Sequence, residues 1–249
     1  MRLIDVTLPS PEENLALDEG LLDEAEDRHA PCESLRLWEP SSPMVVVGRS
    51  SRVEIEVRET QCRELHIPIL RRSSGGAAIV TGPGCLMYAV VLSLEMRPAL
   101  RAIDFAHRFV LETIVTALSR HGLRVAHRGT SDLVLGDLVL GDLALGDRKF
   151  SGNSLRVRRE HLLYHGTLLY DFPLELITAC LESPPRQPDY RSGRPHEAFV
   201  TNVPLPGGEL RRLLTDAWQI DAVAGDWPAE RVADLVETKY SRREWNYKR

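Results

Sequence analysis

The stretch that decides the architecture is "IPILRRSSGGAAIVTGPGCLMYAVVLSL", residues Ile67 to Leu94. Its apolar runs are short, and Ser, Gly and Pro interrupt them, so it reads as strand, Gly-rich turn, strand, Pro-Gly turn, strand. Upstream, "SLRLWEP" (34–40) and "MVVVGRS" (44–50) are two further strands. Residues 2–8 make a short strand before them. Ser10 stands three residues before Glu13, with Pro11 between, a capping-box start to a helix over 11–28. A second helix is predicted from Val53 to just before Pro68. A third runs through "AIDFAHRFVLETIVTALSRHGL" (102–123), stopping at Gly122. Strands return between Arg124 and Tyr170. Residues 173–183 read as helical, 184–196 as a Pro/Arg-rich loop, and 207–217 and 228–237 as short helices. Strand runs interleaved with separate helices predict an α+β fold, a mixed or largely antiparallel sheet flanked by helices, in one domain over 1–249.

Composition narrows the class. The 249 residues are 43% apolar, enough for a real core, and 31 basic against 36 acidic side chains give a net charge of −5. That balance weighs against nucleic acid as a partner. Cys32, Cys62, Cys85 and Cys180 show no C-x-x-C spacing and read as reduced thiols. "MRLIDVTLPSPEEN" has no signal-peptide core, and no apolar run approaches the ~18 residues of a membrane span. A cytoplasmic monomer is expected.

Two stretches carry candidate chemistry. "LGDLVLGDLALGDRKFSGNS" (Leu135 to Ser154) repeats a five-residue unit and breaks at Lys149. Its Asp137, Asp142 and Asp147 fit no calcium-loop spacing, so the repeat reads as a lengthened hairpin tip near 135–147 facing solvent. Lys149 stands beside Ser151-Gly152-Asn153-Ser154, small residues that let a ligand approach the backbone. Most lysines near turns are simply solvated. The second stretch, "RRSSGGAAIV" (Arg71 to Val80), offers backbone N–H groups and an arginine to an anion. It is neither a Walker A loop nor a dinucleotide fingerprint, and a Gly-rich turn with surface arginines is the plain alternative.

Taken in order, these motifs resemble the catalytic domain of lipoate-protein ligases, within the wider biotin/lipoate ligase and octanoyltransferase superfamily. The resemblance spans "ENLALDEGLL", "LRLWEPSSPMVVVGR", "RRSSGGAAIVTGPGCLMYAVV", "SDLVL…GDRKFSGNSLR", "HGTLL" (165–169) and "VTN" (200–202). It implies activation of lipoate by ATP to lipoyl-AMP, followed by transfer to a lysine of a lipoyl domain or glycine-cleavage H-type protein. It further implies Lys149 as the catalytic group and Arg72 as a phosphate ligand. Ser74, Gly75, Gly76, Ala77, Ala78, Ile79, Val80, Ser151 and Gly152 would line the adenylate and acyl sites, and Asp132 would lie beside the nucleotide and help position Mg²⁺. His165 is either an indirect contributor or a packed structural histidine. Leu70, Ile79, Met87 and Leu168 are candidates for an acyl tunnel or for plain core. ATP with Mg²⁺ and lipoate or octanoate are the implied ligands, with no tightly bound cofactor.

The chain departs from the family pattern in places. Ala77 replaces the third glycine of the loop, Ser131 the family's Asn, and Thr81-Gly82-Pro83-Gly84 its His-Asp. The small accessory domain of many ligases is not expected, and some single-domain ligases need a separate partner protein. The alternative is an ATP-independent lipoyl- or octanoyltransferase fed by acyl-carrier protein, with Cys180 as nucleophile. Against it, Leu176, Cys180 and Ser183 fall at helical steps, which suits a packed thiol. Biotin ligase is disfavoured by the motifs, and a binding module without catalysis is disfavoured by Lys149.

Overall fold

The computed structural model describes residues 1–28, 30–136, 139–140, 143–144 and 147–248, with backbone alone for 139–140 and 143–144. In chain order the first half comprises β1 (Arg2–Asp5), α1 (Pro11–Asp27), β2 (Ser34–Trp38), β3 (Met44–Val47), α2 (Val53–Glu56), α3 (Glu59–Glu64), β4 (Ile69–Arg71), β5 (Ile79–Thr81), β6 (Cys85–Ser93) and α4 (Ile103–Arg120). Then come β7 (Val125–Arg128), β8 (Asp132–Leu135), β9 (Val139–Leu140), β10 (Leu143–Ala144), β11 (Arg148–Val157), β12 (His161–Leu169), α5 (Glu175–Cys180), α6 (His196–Phe199), α7 (Gly207–Ala217), β13 (Ala222–Val223), α8 (Ala229–Leu235) and α9 (Arg243–Asn246).

The start of α1 follows from its cap: Glu13 N–H donates to Ser10 Oγ at 3.2 Å, and Ser10 N–H donates to Glu13 Oε2 at 2.8 Å. Eight strands form one sheet in the order β13-β1-β2-β6-β12-β11-β8-β7, and β4-β3-β5 form a smaller one. β1 is parallel to both neighbours and β4 to β3; the other pairings in these two sheets are antiparallel. The sheet is thus mixed and largely antiparallel, as the sequence predicts.

β6 explains the sandwich. Cys85, Met87, Ala89 and Val91 point to a core shared with α1 and the small sheet. Leu86, Tyr88, Val90 and Leu92 point the other way, to a core shared with α4 and α7. A strand buried on both faces is apolar at every position, so "CLMYAVVL" runs without alternation.

Two predicted helices are shorter than the sequence suggests, for one reason. Val57 is extended (φ −125°, ψ 134°) and bridges antiparallel to Leu181. Arg58 N–H donates to Cys180 O at 2.8 Å. This pairing splits the helix expected from Val53 into α2 and α3, and it trims the one expected over 173–183 to α5. A contact between residues far apart in the chain overrides local periodicity here. In the repeat, β9 and β10 pair antiparallel, Leu140 opposite Leu143; residues 137–138, 141–142 and 145–146 lie outside the described residues. No described helix is long and apolar enough to cross a membrane.

Candidate active site

Lys149 sits where three segments meet. Within β11 it pairs with Val134 of β8, and its carbonyl accepts from Thr201 N–H at 2.8 Å beside a bridge to Val200. The β11/β8 register slips between Lys149 and Ser151, and such bulges re-aim side chains. The ammonium reaches Asp132 Oδ1 at 2.6 Å, and the Tyr190 hydroxyl donates to Asp132 Oδ2 at 2.7 Å. Burial and the adjacent carboxylate raise the Tyr190 phenol far above its ordinary value, so it stays a donor. A Cβ on Gly152 would stand 3.1 Å from Lys149 Nζ, so glycine leaves the ammonium its space.

The Gly-rich loop is held from within. The Arg72 guanidinium is buried and donates to Val46 O (3.1 Å), Gly75 O (2.5 Å) and Ala77 O (3.0 Å). Burial pushes its pKa down to about 10, still charged at neutral pH. Ser51 Oγ donates to Gly76 O at 3.0 Å and Ser154 Oγ to Gly75 O at 2.9 Å. With the carbonyls capped inward, the N–H groups of Gly75, Gly76 and Ala77 have no acceptor among the described residues, and Gly76 and Ala77 are exposed. Free amides on a tight loop make a concavity suited to an anion. Gly76 has φ +85°, and a Cβ there would meet Arg72 Nη2 at 2.9 Å.

Behind the loop runs a buried polar chain. Ser74 Oγ lies 2.5 Å from His165 Nε2, His165 Nδ1 lies 3.0 Å from Asp18 Oδ2, and Arg36 donates to Asp18 Oδ1 at 2.6 Å. Burial alone would raise the Asp18 carboxyl, but the Arg36 guanidinium and the His165 ring hold it below its ordinary range. On the neighbouring strand β11, Asn153 donates to Ser131 O at 2.8 Å and accepts from the Tyr88 hydroxyl at 2.5 Å. Asn153 faces Gly166 across the strands, where a Cβ would lie 1.8 Å from its Oδ1. The glycine after His165 is required by that neighbour.

These elements enclose one cavity. It is lined by Ala77, Ala78, Ile79 and Val80 of the loop and β5, by Lys149, Ser151, Gly152 and Thr167 of β11 and β12, and by Ile177, Leu181, Arg191, Phe199 and Val200 from the segments that follow. Glu56 also lines it, with Oε2 accepting from Ala78 N–H at 2.7 Å. Asp132 joins through Lys149. Arg72, Ser74, Gly75, Gly76 and His165 stand behind or within the loop rather than on the cavity wall. Of the tunnel candidates, Ile79 lines the cavity; Leu70 and Met87 are packed in the core beneath α1, and Leu168 faces the opposite side of the sheet. Cys180 is fully buried, its thiol raised by burial, and Cys62 Sγ lies 3.8 Å from its carbonyl.

Sequence reading missed Tyr190, Arg191, Phe199, Glu56, Ile177 and Leu181. The first two lie in "QPDYRSGR", whose Pro and Arg content reads as solvated loop. Among the described residues no cage for a cation is built in. Both oxygens of Asp132 are engaged, and no group of three or more His, Cys, Asp or Glu side chains placed to hold a metal occurs among the described residues.

A family model described as the lipoyl protein ligase A/B catalytic domain matches residues 10–223. Lipoate--protein ligase 1 of Staphylococcus aureus is 24% identical over 97% of this chain and 71% of its own length. Octanoyltransferase LipM of Clostridioides difficile is 22% identical over 95% of this chain and 94% of its own. A Schizosaccharomyces pombe relative named for lipoate-protein ligase A is 29% identical over 70% of this chain, a match spanning only 42% of that relative. The bi-partite lipoate protein ligase of Thermoplasma acidophilum superposes with a TM-score of 0.79 at 22% identity, covering 99% of this chain and 95% of that one. A lipoate-protein ligase A bound with ATP superposes at 0.77, again 22% identical, over 99% and 98%. At such identities the shared property is the fold.

Proposed function

We propose, from the premise that this chain belongs to the lipoyl protein ligase A/B catalytic-domain family, that it activates lipoate with ATP and passes the acyl group to a protein lysine. The carrying observation is the Lys149 ammonium, held 2.6 Å from Asp132 in the cavity that residues 77–80 also line. A lipoate carboxylate oxygen attacks the α-phosphorus, the bond to the bridging oxygen breaks, and diphosphate leaves. The acceptor amine then attacks the acyl carbon, AMP departs with the electron pair, and the amine's proton goes to solvent. Negative charge gathers beside the α-phosphate in both steps, and a fixed ammonium there is worth ~3–4 kcal/mol. The amides of Gly75, Gly76 and Ala77, without an acceptor among the described residues, offer further donors. Arg72, His165 and Ser74 act by fixing that loop. Magnesium, if it enters, comes with the nucleotide's phosphates, and no step here is routed through it. A lipoyl domain, the partner named for the Thermoplasma ligase, is the acceptor class we assign.

The second reading, an octanoyl- or lipoyltransferase, is favoured by the likeness to LipM over 95% of the chain. It needs an accessible nucleophilic thiol, and Cys180 is fully buried with its pKa raised. The deciding experiment supplies an acceptor lipoyl domain with lipoate, with and without ATP, and separately with octanoyl-carrier protein. Lipoylation that requires ATP is expected; acylation from the carrier protein alone would sink the ligase reading.

A further inference from the structure

Three arginines carry a buried donor with no hydrogen-bond partner among the described residues: Arg36 at Nε, Arg148 at Nε and Arg191 at Nη2. Arg36 and Arg97 are ion-paired to Asp18 and Glu33, Arg156 is paired to Glu19, and Arg71 and Arg72 donate to backbone carbonyls. Arg191 is set apart from Arg36 by having no carboxylate partner among the described residues. It is only 3% exposed and lines the cavity with Lys149, yet its Nη2 is buried with no hydrogen-bond partner. Its Nε donates to Arg194 O at 2.9 Å, and its guanidinium carbon stands 4.8 Å from the Phe199 ring centre. Among the described residues it makes no ion pair with a carboxylate, nor do its neighbours Arg148 and Arg194. Arg148 donates instead to the carbonyls of Glu197 and Val200, and Arg194 to those of Arg191 and Tyr190. Arg191, Arg194 and, through its bonds to Glu197 O and Val200 O, Arg148 therefore gather at the segment around 190–200, with Lys149 bridged to Val200, and among the described residues Asp132 is the one carboxylate ion-paired to any of them.

A buried donor without an acceptor is unfavourable, and a buried cation without an anion more so. Such a group in a cavity wall marks where a ligand supplies what is missing. Resting on the ATP-dependent reading above, we infer that Arg191 is the cavity's diphosphate-binding group: its free Nη2 takes oxygens of the β-phosphate and carries the charge of the leaving diphosphate. The two cations divide the labour. Lys149, with Asp132 and the loop amides, attends the carboxylate and α-phosphate, where bonds are made. Arg191, which lines the same cavity, holds the group that leaves when the bond from the α-phosphorus to its bridging oxygen breaks. The planar fork suits phosphate oxygens, and stacking on Phe199 fixes its plane. A thioester donor has no diphosphate leaving group at the reacting carbon, so this site favours a nucleoside triphosphate over an acyl thioester.

The test separates the two half-reactions. In Arg191→Gln, lipoate-dependent ATP–diphosphate exchange should fall, and the KM for ATP rise, by at least about tenfold, the size of a lost charge-assisted hydrogen bond. Transfer from supplied lipoyl-adenylate to the acceptor domain should stay within about threefold, since diphosphate is absent from that step. Arg191→Lys, which keeps charge but loses the fork, should fall between. Exchange unchanged in a normally melting Arg191→Gln protein overturns the inference; so does equal loss in both half-reactions, which would mean the residue merely supports the 190–200 segment. If Arg191→Gln folds poorly, Arg191→Lys decides, and an unchanged KM for ATP overturns it. A wild-type protein that forms no adenylate from ATP but accepts octanoyl-carrier protein brings down the ligase reading itself, and this inference with it.

Discussion

At the scale of single residues, Lys149 is fixed by the bulge in β11 and by Asp132, and the Gly-rich loop by its carbonyl bonds to Arg72. Lys149 and the Gly-rich loop stand out because a lysine after a turn and paired glycines carry their signature in neighbouring letters. The structure brings Lys149, Ser151, Gly152 and residues 77–80 to one cavity. Arg71 and Arg72 read as outward donors for phosphate or solvent, yet both are buried; their carbonyl acceptors at Val46, Gly48, Trp245 and Lys248 leave no trace in the motif. Arg191 was hidden the same way, because Pro/Arg-rich composition does not reveal burial. Lys149→Ala should lower adenylate formation by about 10²–10³-fold with little change in melting temperature, since the side chain is partly exposed; single-turnover adenylation with calorimetry checks both. Turnover like wild type would remove Lys149 from the mechanism. Cys180→Ser should keep ligase activity within a few-fold of the parent, since the thiol is buried in the core and raised by that burial. Loss of transfer from octanoyl-carrier protein in a normally melting variant would instead make that thiol the nucleophile.

Among elements, those set by their own sequence matched expectation and those set by tertiary pairing did not. α1 begins at its capping box and α4 is followed by Gly122, with φ +82°. The split of α2 from α3 depends on the Val57–Leu181 bridge, which local periodicity does not encode. The repeat invites a deletion. Residues 137–146 fall wholly between the paired positions Leu135 and Arg148. Their removal leaves "SDLVLGDRKFSG" and changes no pairing on either side, whereas a slip inside an arm would turn every later side chain to the wrong face. The ten-residue deletion should therefore melt no lower than the parent, and the five-residue deletion 137–141 the same or lower. If the tip meets the acceptor domain, the longer deletion should raise the acceptor's KM and spare adenylate formation. Adenylation lost in a stable deletion variant would place the tip at the active site.

For the whole molecule, the apolar runs told the layering well, because β6 is buried on both faces and its composition says so. They could not tell how the ends of the chain are tied in. The charge network predicts an acid-labile fold. Burial lowers His107 and His196 below their ordinary 6.5. Asp18 and Glu19, which burial alone would raise, are held below 3.8 and 4.5, Asp18 by Arg36 and Glu19 by Lys239. Each depressed group binds fewer protons folded than unfolded, so its stabilising effect is complete above the ordinary pKa and is lost as pH falls through the folded value. Melting temperature should decline first below about pH 6.5 and again below about pH 4.5, and His107→Gln should flatten the first decline; an unchanged first decline would move its origin elsewhere. Arg71 carries a different consequence. Its side chain donates to Trp245 O at 2.9 Å and Lys248 O at 2.9 Å, and its own amide to Asn246 Oδ1 at 3.0 Å, while the next residue shapes the Gly-rich loop. On the ribosome, domains assemble from the N-terminus onward, but this loop must wait for partners made some 174 residues later. A nascent chain that stops short of Trp245 therefore lacks the acceptors that hold Arg71, and a chain arrested at Ser241 should be cut readily within 72–77 by added protease.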